Sequence, residues 1–305
     1  MAWMEHPAPA QQELAARLAA RWSRGPILQI PGAHDALTGL LARQAGFEAL
    51  YLSGAAFTAA RGLPDLGLIE GSEMADWAAT IVAATGLPLL VDLDTGYGGV
   101  FNAARAARRM VAAGVAAVQI EDQELPKRCG HLDGKRLVPP EEMAAKVRAI
   151  KATAPGLLVV ARTDARAVEG LEGAVARARR YLAAGADAIF PEALTSAEEF
   201  QAFARAVPAP LLANMTEFGK TPYFNAADFE RWGYRMVLYP VSSLRVAAKA
   251  VERLFRLLRE TGSQAGMLEA MQTRAELYAL LGYHDYEAWD RRLAEGVPPA
   301  DPAGS

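Results

Sequence analysis

Cysteine is nearly absent: Cys129 is the only one in 305 residues. That excludes an internal disulfide framework and makes a reducing compartment, the cytoplasm, the expected location. Histidine is scarce too, with four widely spaced residues, which argues against a zinc site. No uncharged apolar run is long enough to span a bilayer. The segment from Met1 to Arg24, rich in Ala and carrying Glu5 and Glu13, has no signal-peptide pattern. Neither sign of charge is concentrated. The 32 basic and 35 acidic residues are interspersed for a net charge of -3, so no basic stripe points to nucleic acid and no polybasic run to a membrane.

Apolar material is abundant, at 52% of the chain, enough for a large core. Eight short apolar runs recur: Ile27 to Ile30, Ala49 to Leu52, Leu89 to Asp92, Ala117 to Ile120, Leu158 to Ala161, Ala188 to Phe190, Leu211 to Ala213 and Met236 to Tyr239. Near-continuous apolar runs suit parallel strands buried on both faces. Amphipathic stretches lie between them, among them Asn102 to Ala113, Glu141 to Lys151 and Leu171 to Ala184. Gly46, Gly86, Gly114 and Gly185 stand where helix C-caps belong. Eight such repeats predict a (β/α)8 TIM-type barrel of the α/β class, one domain over residues 1–305. A helical arm is expected over 1–25, a C-terminal helical extension over 262–290 and a disordered tail over 296–305. A helix through Arg259 breaks at Thr261-Gly262-Ser263, and a second runs to about Leu281, free to pack on its own barrel or on another subunit.

In such barrels the chemistry follows the strands. Ser53-Gly54, Asp92, Asp94, Glu121, Arg162, Glu192, Asn214 and Thr216 all do so here. Helix capping explains residues such as Asp164, Thr195 or Ser242, but not Asp92, Glu121, Arg162 and Glu192, which end apolar strands. Asp92 and Asp94, at i and i+2, share one face of a strand. With Glu121 they form an all-oxygen cluster suited to Mg²⁺, with Mn²⁺ as a substitute; a structural ion-pair network with Arg162 is the competing reading. Arg162 is a candidate carboxylate clamp or oxyanion stabiliser. Arg245 and Arg274 are further anion clamps or, equally, surface ion pairs. Ser53, Gly54 and Ala55 offer backbone N–H groups to a carboxylate, while His34 reads as a capping or loop histidine.

Cys129 sits in Lys127-Arg128-Cys129-Gly130-His131. Lys127, Arg128 and a protonated His131 are expected to stabilise its thiolate and lower its pKa from ~8.5, making it an acid poised near neutrality. The competing reading is an inert, buried cysteine. A hard cation, several anion clamps and one acidic thiol fit enolate chemistry on a polycarboxylate, with C–C cleavage followed by protonation of the carbanion equivalent.

These residues resemble the isocitrate lyase/phosphoenolpyruvate mutase superfamily from about residue 10 to 290. The matching stretches are Tyr51 to Gly54, Gly62 to Gly67, Val91 to Gly98, Ile120 to Gln123, Lys127 to His131, Ala161 to Asp164, Phe190 to Ala193, Ala213 to Gly219, Leu238 to Pro240 and Met271 to Arg274. Phosphonate-processing members lack the cysteine motif, and true isocitrate lyases carry insertions absent here. The resemblance implies cleavage of 2-methylisocitrate, a small tricarboxylate, to pyruvate and succinate in the methylcitrate cycle of propionate catabolism. It implies Mg²⁺ on Asp92 and Asp94 with Glu121 assisting, and catalytic roles for Cys129, Arg162, Glu121, Lys127 and His131. Substrate binding would fall to Ser53, Gly54, Ala55, Cys129, Gly130, Arg162, Glu192, Asn214, Thr216, Arg245 and Arg274. Cys129 and Gly130 would ride on a gating loop. The resemblance further implies a cytoplasmic homotetramer that exchanges a C-terminal helix between subunits. Tyr51, Glu192 and a metal-shell group all stand as candidate bases. Ala55-Ala56-Phe57 departs from the smaller residues expected there, and isocitrate and 2,3-dimethylmalate remain rival substrates.

Overall fold

The apolar runs form eight strands: β1 (Leu28–Pro31), β2 (Leu50–Leu52), β3 (Leu89–Asp92), β4 (Ala117–Glu121), β5 (Leu158–Thr163), β6 (Ala188–Pro191), β7 (Leu212–Asn214) and β8 (Met236–Tyr239). The computed structural model describes residues 8–132 and 134–296. Every ladder is parallel, in the orders β2-β3-β4-β5-β6 and β1-β8-β7. Parallel bridges Gly32↔Tyr51 and Ile189↔Leu211 join the two ladders. The fold is therefore an α/β TIM-type barrel, as the eight-fold repeat predicts.

Among the described residues twelve α-helices accompany the strands: α1 (Gln11–Trp22), α2 (Ala36–Gln44), α3 (Gly54–Ala60), α4 (Gly71–Thr85), α5 (Val100–Ala112), α6 (Pro140–Thr153), α7 (Arg166–Ala183), α8 (Ala197–Ala206), α9 (Ala226–Arg231), α10 (Ser242–Thr261), α11 (Arg274–Leu281) and α12 (Tyr283–Ala294). Burial explains the strand composition. Leu50, Leu52, Leu89, Val91, Val118, Ile120, Val159, Ile189 and Val237 are all essentially inaccessible, each fully buried aliphatic side chain contributing ~1.5–3 kcal/mol. Helix α1 buries Leu14, Ala15, Leu18 and Trp22. The Gln11 amide donates to the carbonyls of Val115 and Gly156, just ahead of β4 and β5. The helix thus covers the end from which the strands start, leaving the opposite end for chemistry.

Several strands run one or two residues past the expected ends. β4 includes Glu121, β5 includes Arg162 and Thr163, and β6 includes Pro191. Apolar composition marks the core but not the polar residues that the ladder carries on to its rim. The predicted C-cap glycines all take positive φ, between 61° at Gly86 and 106° at Gly185.

The C-terminal part holds more structure than the sequence suggests. α10 ends at Gly262 in a left-handed cap, a 3-10 turn follows over Ala265–Ala270, and Gly282, also left-handed, separates α11 from α12. None of α10, α11 and α12 has a buried residue. Val246 and Phe255 on α10 are 71% and 64% exposed. Of the expected arm and tail, residues 1–7 and 297–305 lie outside the described residues.

Candidate active site

The strand ends converge on a small cavity of about 100 Å³ lined by Ser53, Ala55, Asp92, Lys127, Cys129, Gly130, His131, Arg162, Glu192, Asn214, Thr216 and Arg245, together with Tyr51, Asp65 and Phe190. Gly54, Asp94, Glu121 and Arg274 do not line it. Gly54 and Glu121 lie directly behind lining residues: the Gly54 N–H donates to Asp92 Oδ2 at 3.1 Å, and Glu121 pairs with Arg162. Arg274 opens α11 and is exposed. Arg245, half exposed on α10, pairs with Glu217 at 3.5 Å.

The carboxylate pair is built differently from the expectation. β3 ends at Asp92, and Asp94 sits in the turn beyond it with φ of 47°. The two therefore meet through a left-handed turn, not through the pleat of a strand. A carbon added at Gly54 would lie 3.2 Å from both Asp92 Oδ2 and Asp94 Oδ1, so the two side chains face one another across that glycine. Asp92 Oδ1 accepts from the Asp94 N–H at 3.0 Å and from the Gln119 amide at 3.2 Å; Gln119 in turn accepts from the Tyr51 hydroxyl at 2.6 Å. Burial, and then Asp92, push Asp94 up to about 6. Among the described residues no group of three His, Cys, Asp or Glu is placed to hold a metal. Glu121 is drawn away to Arg162. Two carboxylates still suit Mg²⁺, which keeps several waters and takes one or two protein carboxylates. Glu121 Oε1, buried without a hydrogen-bond partner, could accept from such a water.

Arg162 is the hub of the site. Its Nε and Nη2 grip Asp164 at 2.9 and 3.1 Å. Nη1 lies 3.2 Å from Glu121, and Nη2 lies 3.8 Å from Glu192. Burial works to raise Asp164, but Arg162 and Lys135 outweigh it and hold the carboxyl below its ordinary value. Glu192 accepts from the Asn214 amide at 3.2 Å.

The Lys127 to His131 loop lies on this hub. Lys127 reaches inward to Asp94 at 2.7 Å and to Asp65. Burial would lower its pKa, but Asp94, Glu121, Asp92 and Asp65 outweigh that and raise it. His131 Nδ1 accepts from the Lys220 N–H at 3.0 Å, which puts the imidazole proton on Nε2, 3.3 Å from Glu192. Burial, ahead of the opposing pull of Glu192, lowers the His131 pKa. Two of the three cations expected around the thiol are thus turned to other partners, and Cys129 itself is exposed, not buried. This corrects the picture of a thiolate escorted by its sequence neighbours. Gly130 lies so close to the hub that a carbon added to it would stand 2.2 Å from Glu192 Oε1 and 2.5 Å from Arg162 Nη2.

Sequence reasoning missed four residues here: Asp65, Gln119, Gln123 and Lys135. Gln123 grips the loop by donating to the Arg128 carbonyl at 2.9 Å and accepting from the Arg128 N–H at 3.0 Å. Asp65 and Gln123 lie inside matching stretches, Gly62 to Gly67 and Ile120 to Gln123, but nothing local marks Gln119 and Lys135.

The family described as phosphoenolpyruvate phosphomutase matches over residues 18–259. A relative from Bacillus subtilis (strain 168), named 2-methylisocitrate lyase, is 60% identical over 98% of this chain and 99% of its own. The chain belongs to the phosphoenolpyruvate mutase/isocitrate lyase superfamily. Like that relative it is an enzyme of the lyase class. Two solved members of the superfamily share its architecture. The 2,3-dimethylmalate lyase aligns with a TM-score of 0.87 at 33% identity, over 98% of this chain and 99% of the other. A phosphonopyruvate hydrolase solved with oxalate and Mg²⁺ aligns with a TM-score of 0.82 at 29% identity, over 93% and 99%. Among the described residues no helix is long and apolar enough to cross a membrane.

Proposed function

We propose that this chain is a divalent-metal-dependent carbon–carbon lyase that cleaves 2-methylisocitrate to pyruvate and succinate, within the methylcitrate cycle of propionate catabolism. The observation that carries the reading is a thiol-bearing loop seated on Arg162 and Glu192, in a chain 60% identical along nearly its whole length to a protein of that name. The 2,3-dimethylmalate lyase, at 33%, is a more distant relative. The higher identity supports the methylated substrate; because one methyl group is worth only ~1–3 kcal/mol of discrimination, the preference is for turnover to test.

Mg²⁺, or Mn²⁺ in its place, held by Asp92 and Asp94 would supply positive charge for the hydroxy-acid end of the substrate and for the oxyanion formed there. Ser53, Gly54 and Ala55 orient that end. Arg162, Asn214, Thr216, Arg245 and Arg274 hold the remaining carboxylates, Arg162 through a guanidinium already fixed by Asp164. The C2 hydroxyl proton passes to a base, the C2–C3 electron pair moves to C3 as pyruvate leaves, and the Cys129 thiol protonates the resulting succinate aci-carboxylate. Burial and Asp92 raise Tyr51 well above the ordinary phenol value, so Tyr51 serves as a neutral donor. Glu192, which lines the cavity, and a metal-shell group stand as the candidate bases. Lys127 holds Asp94 in place, and His131, neutral, seats the loop against Glu192.

A cytoplasmic homotetramer accompanies this reading. It is supported by three C-terminal helices without a buried residue, which suits an extension exchanged between subunits and leaves Arg274 to be brought to a site by assembly. The test is pyruvate release from 2-methylisocitrate and from isocitrate, each with and without Mg²⁺. Metal-dependent release from the methylated acid is expected. Preference for isocitrate would move the enzyme to a sister activity, and no release from either would overturn the reading.

A further inference from the structure

Lys135 is buried, its side chain only 1% exposed, and no step above uses it. Its ammonium lies 3.0 Å from Asp164 Oδ1 and donates to the carbonyl of Gly130. Asp164 is itself fully buried, and its two oxygens hold the Arg162 fork. One ammonium therefore touches both the carboxylate that aims Arg162 and the glycine of the thiol loop. We propose that Lys135 is a positioning residue that couples loop closure to the aim of Arg162. With the loop down, Lys135 and Arg162 share Asp164, and Gly130 is drawn on to Arg162 and Glu192. With the loop lifted, the ammonium leaves Asp164, and the guanidinium loses the second cation that fixes its partner. A buried ammonium is costly unless it is paired, so the closed loop is the state in which Lys135 can be buried at all.

The inference rests on the proposed reaction only for its kinetic arm. Its structural arm is amide hydrogen exchange of the full-length protein without substrate, comparing the parent with Lys135→Met and Lys135→Arg. Three amides report closure: Arg128, bonded to Gln123; Leu132, bonded to the Cys129 carbonyl; and Lys220, bonded to His131. In Lys135→Met they should exchange about tenfold faster or more, the loss of a charge-assisted hydrogen bond, while β4 and β5 keep their protection. Lys135→Arg should restore part of it. In turnover, Lys135→Met should lower kcat with little change in the concentration of metal required. If Lys135→Met does not fold, Lys135→Gln gives the same readout. Unchanged exchange at all three amides, or equal loss across the barrel strands, would overturn the proposal. Faster loop exchange in a protein inert toward both tricarboxylates would sustain it and overturn only the substrate assignment.

Discussion

Glu121 and Arg162 are register partners across β4 and β5, and Arg162 Nη1 consequently lies 3.2 Å from Glu121 Oε2. The pairing is fixed by the ladder and not by side-chain choice. It places one guanidinium among Glu121, Asp164 and Glu192.

Arg162→Met should therefore be severe for the fold as well as for activity. It strands buried carboxylates, and breaking a buried pair costs about 3–5 kcal/mol. A denaturant midpoint equal to that of the parent would contradict the hub role. Arg162→Lys, which keeps the charge but not the fork, should recover stability more than turnover.

Gly130→Ala tests the loop's fit. The added carbon would overlap Glu192 and Arg162, so the loop cannot seat. A misplacement of this kind costs about 100-fold in kcat. Because the loop lies outside the barrel core, the melting temperature should not move. Parent-level kcat would show that closure is not needed.

Cys129→Ser should lower turnover by about 10²–10⁴-fold while substrate binding survives. Calorimetric binding alongside steady-state kinetics separates the two. Full turnover would remove the thiol from the mechanism.

Acid should open the loop through His131. Burial holds its closed-state pKa below the ordinary value, so the closed loop binds fewer protons than the open one. Closure is fully supported above the open-state value of about 6.5 and is lost as pH falls through it toward the lower, closed-state value. Glu192 and Asp164 oppose this shift, while Arg162 and Lys135 reinforce it. Imidazole proton NMR should give a lower titration midpoint in the parent than in Gly130→Ala. Identical midpoints would dissociate His131 from closure.

Metal binding should weaken in acid for a separate reason. Asp94, raised to about 6, must give up its proton to a cation, so apparent affinity should fall about tenfold per unit below that pH. Magnesium titrations at pH 5.5 and pH 7.5, chosen as about half a unit below and well above that value, check this. Chelation should abolish turnover.

The barrel was legible because parallel strands are buried on both faces and therefore read as apolar runs. The lining residues Asp92, Arg162 and Glu192 were legible because they interrupt or end those runs. The loop was not. Lys127 and His131 flank Cys129 in sequence, yet their partners are Asp94 and Glu192, far away in the chain. In an irregular segment, adjacent side chains point in different directions, so local spacing does not reveal their company. Asp94 misled for a related reason: i and i+2 share a face only while the strand continues, and here it ends at Asp92. Lys135 carried no signal of its own, since its burial depends on Asp164, just past the end of the neighbouring strand β5.

The close approach of Gly130 to Glu192 and Arg162 also bears on stereochemistry. In the proposed reaction a loop seated this closely would present its proton donor to the reacting carbon from one side only. In heavy water the succinate formed should carry a single deuterium, all in one prochiral position. A loop held open should yield both mirror-related forms, so the isotopic handedness of the product records how tightly the loop was closed at the moment of protonation.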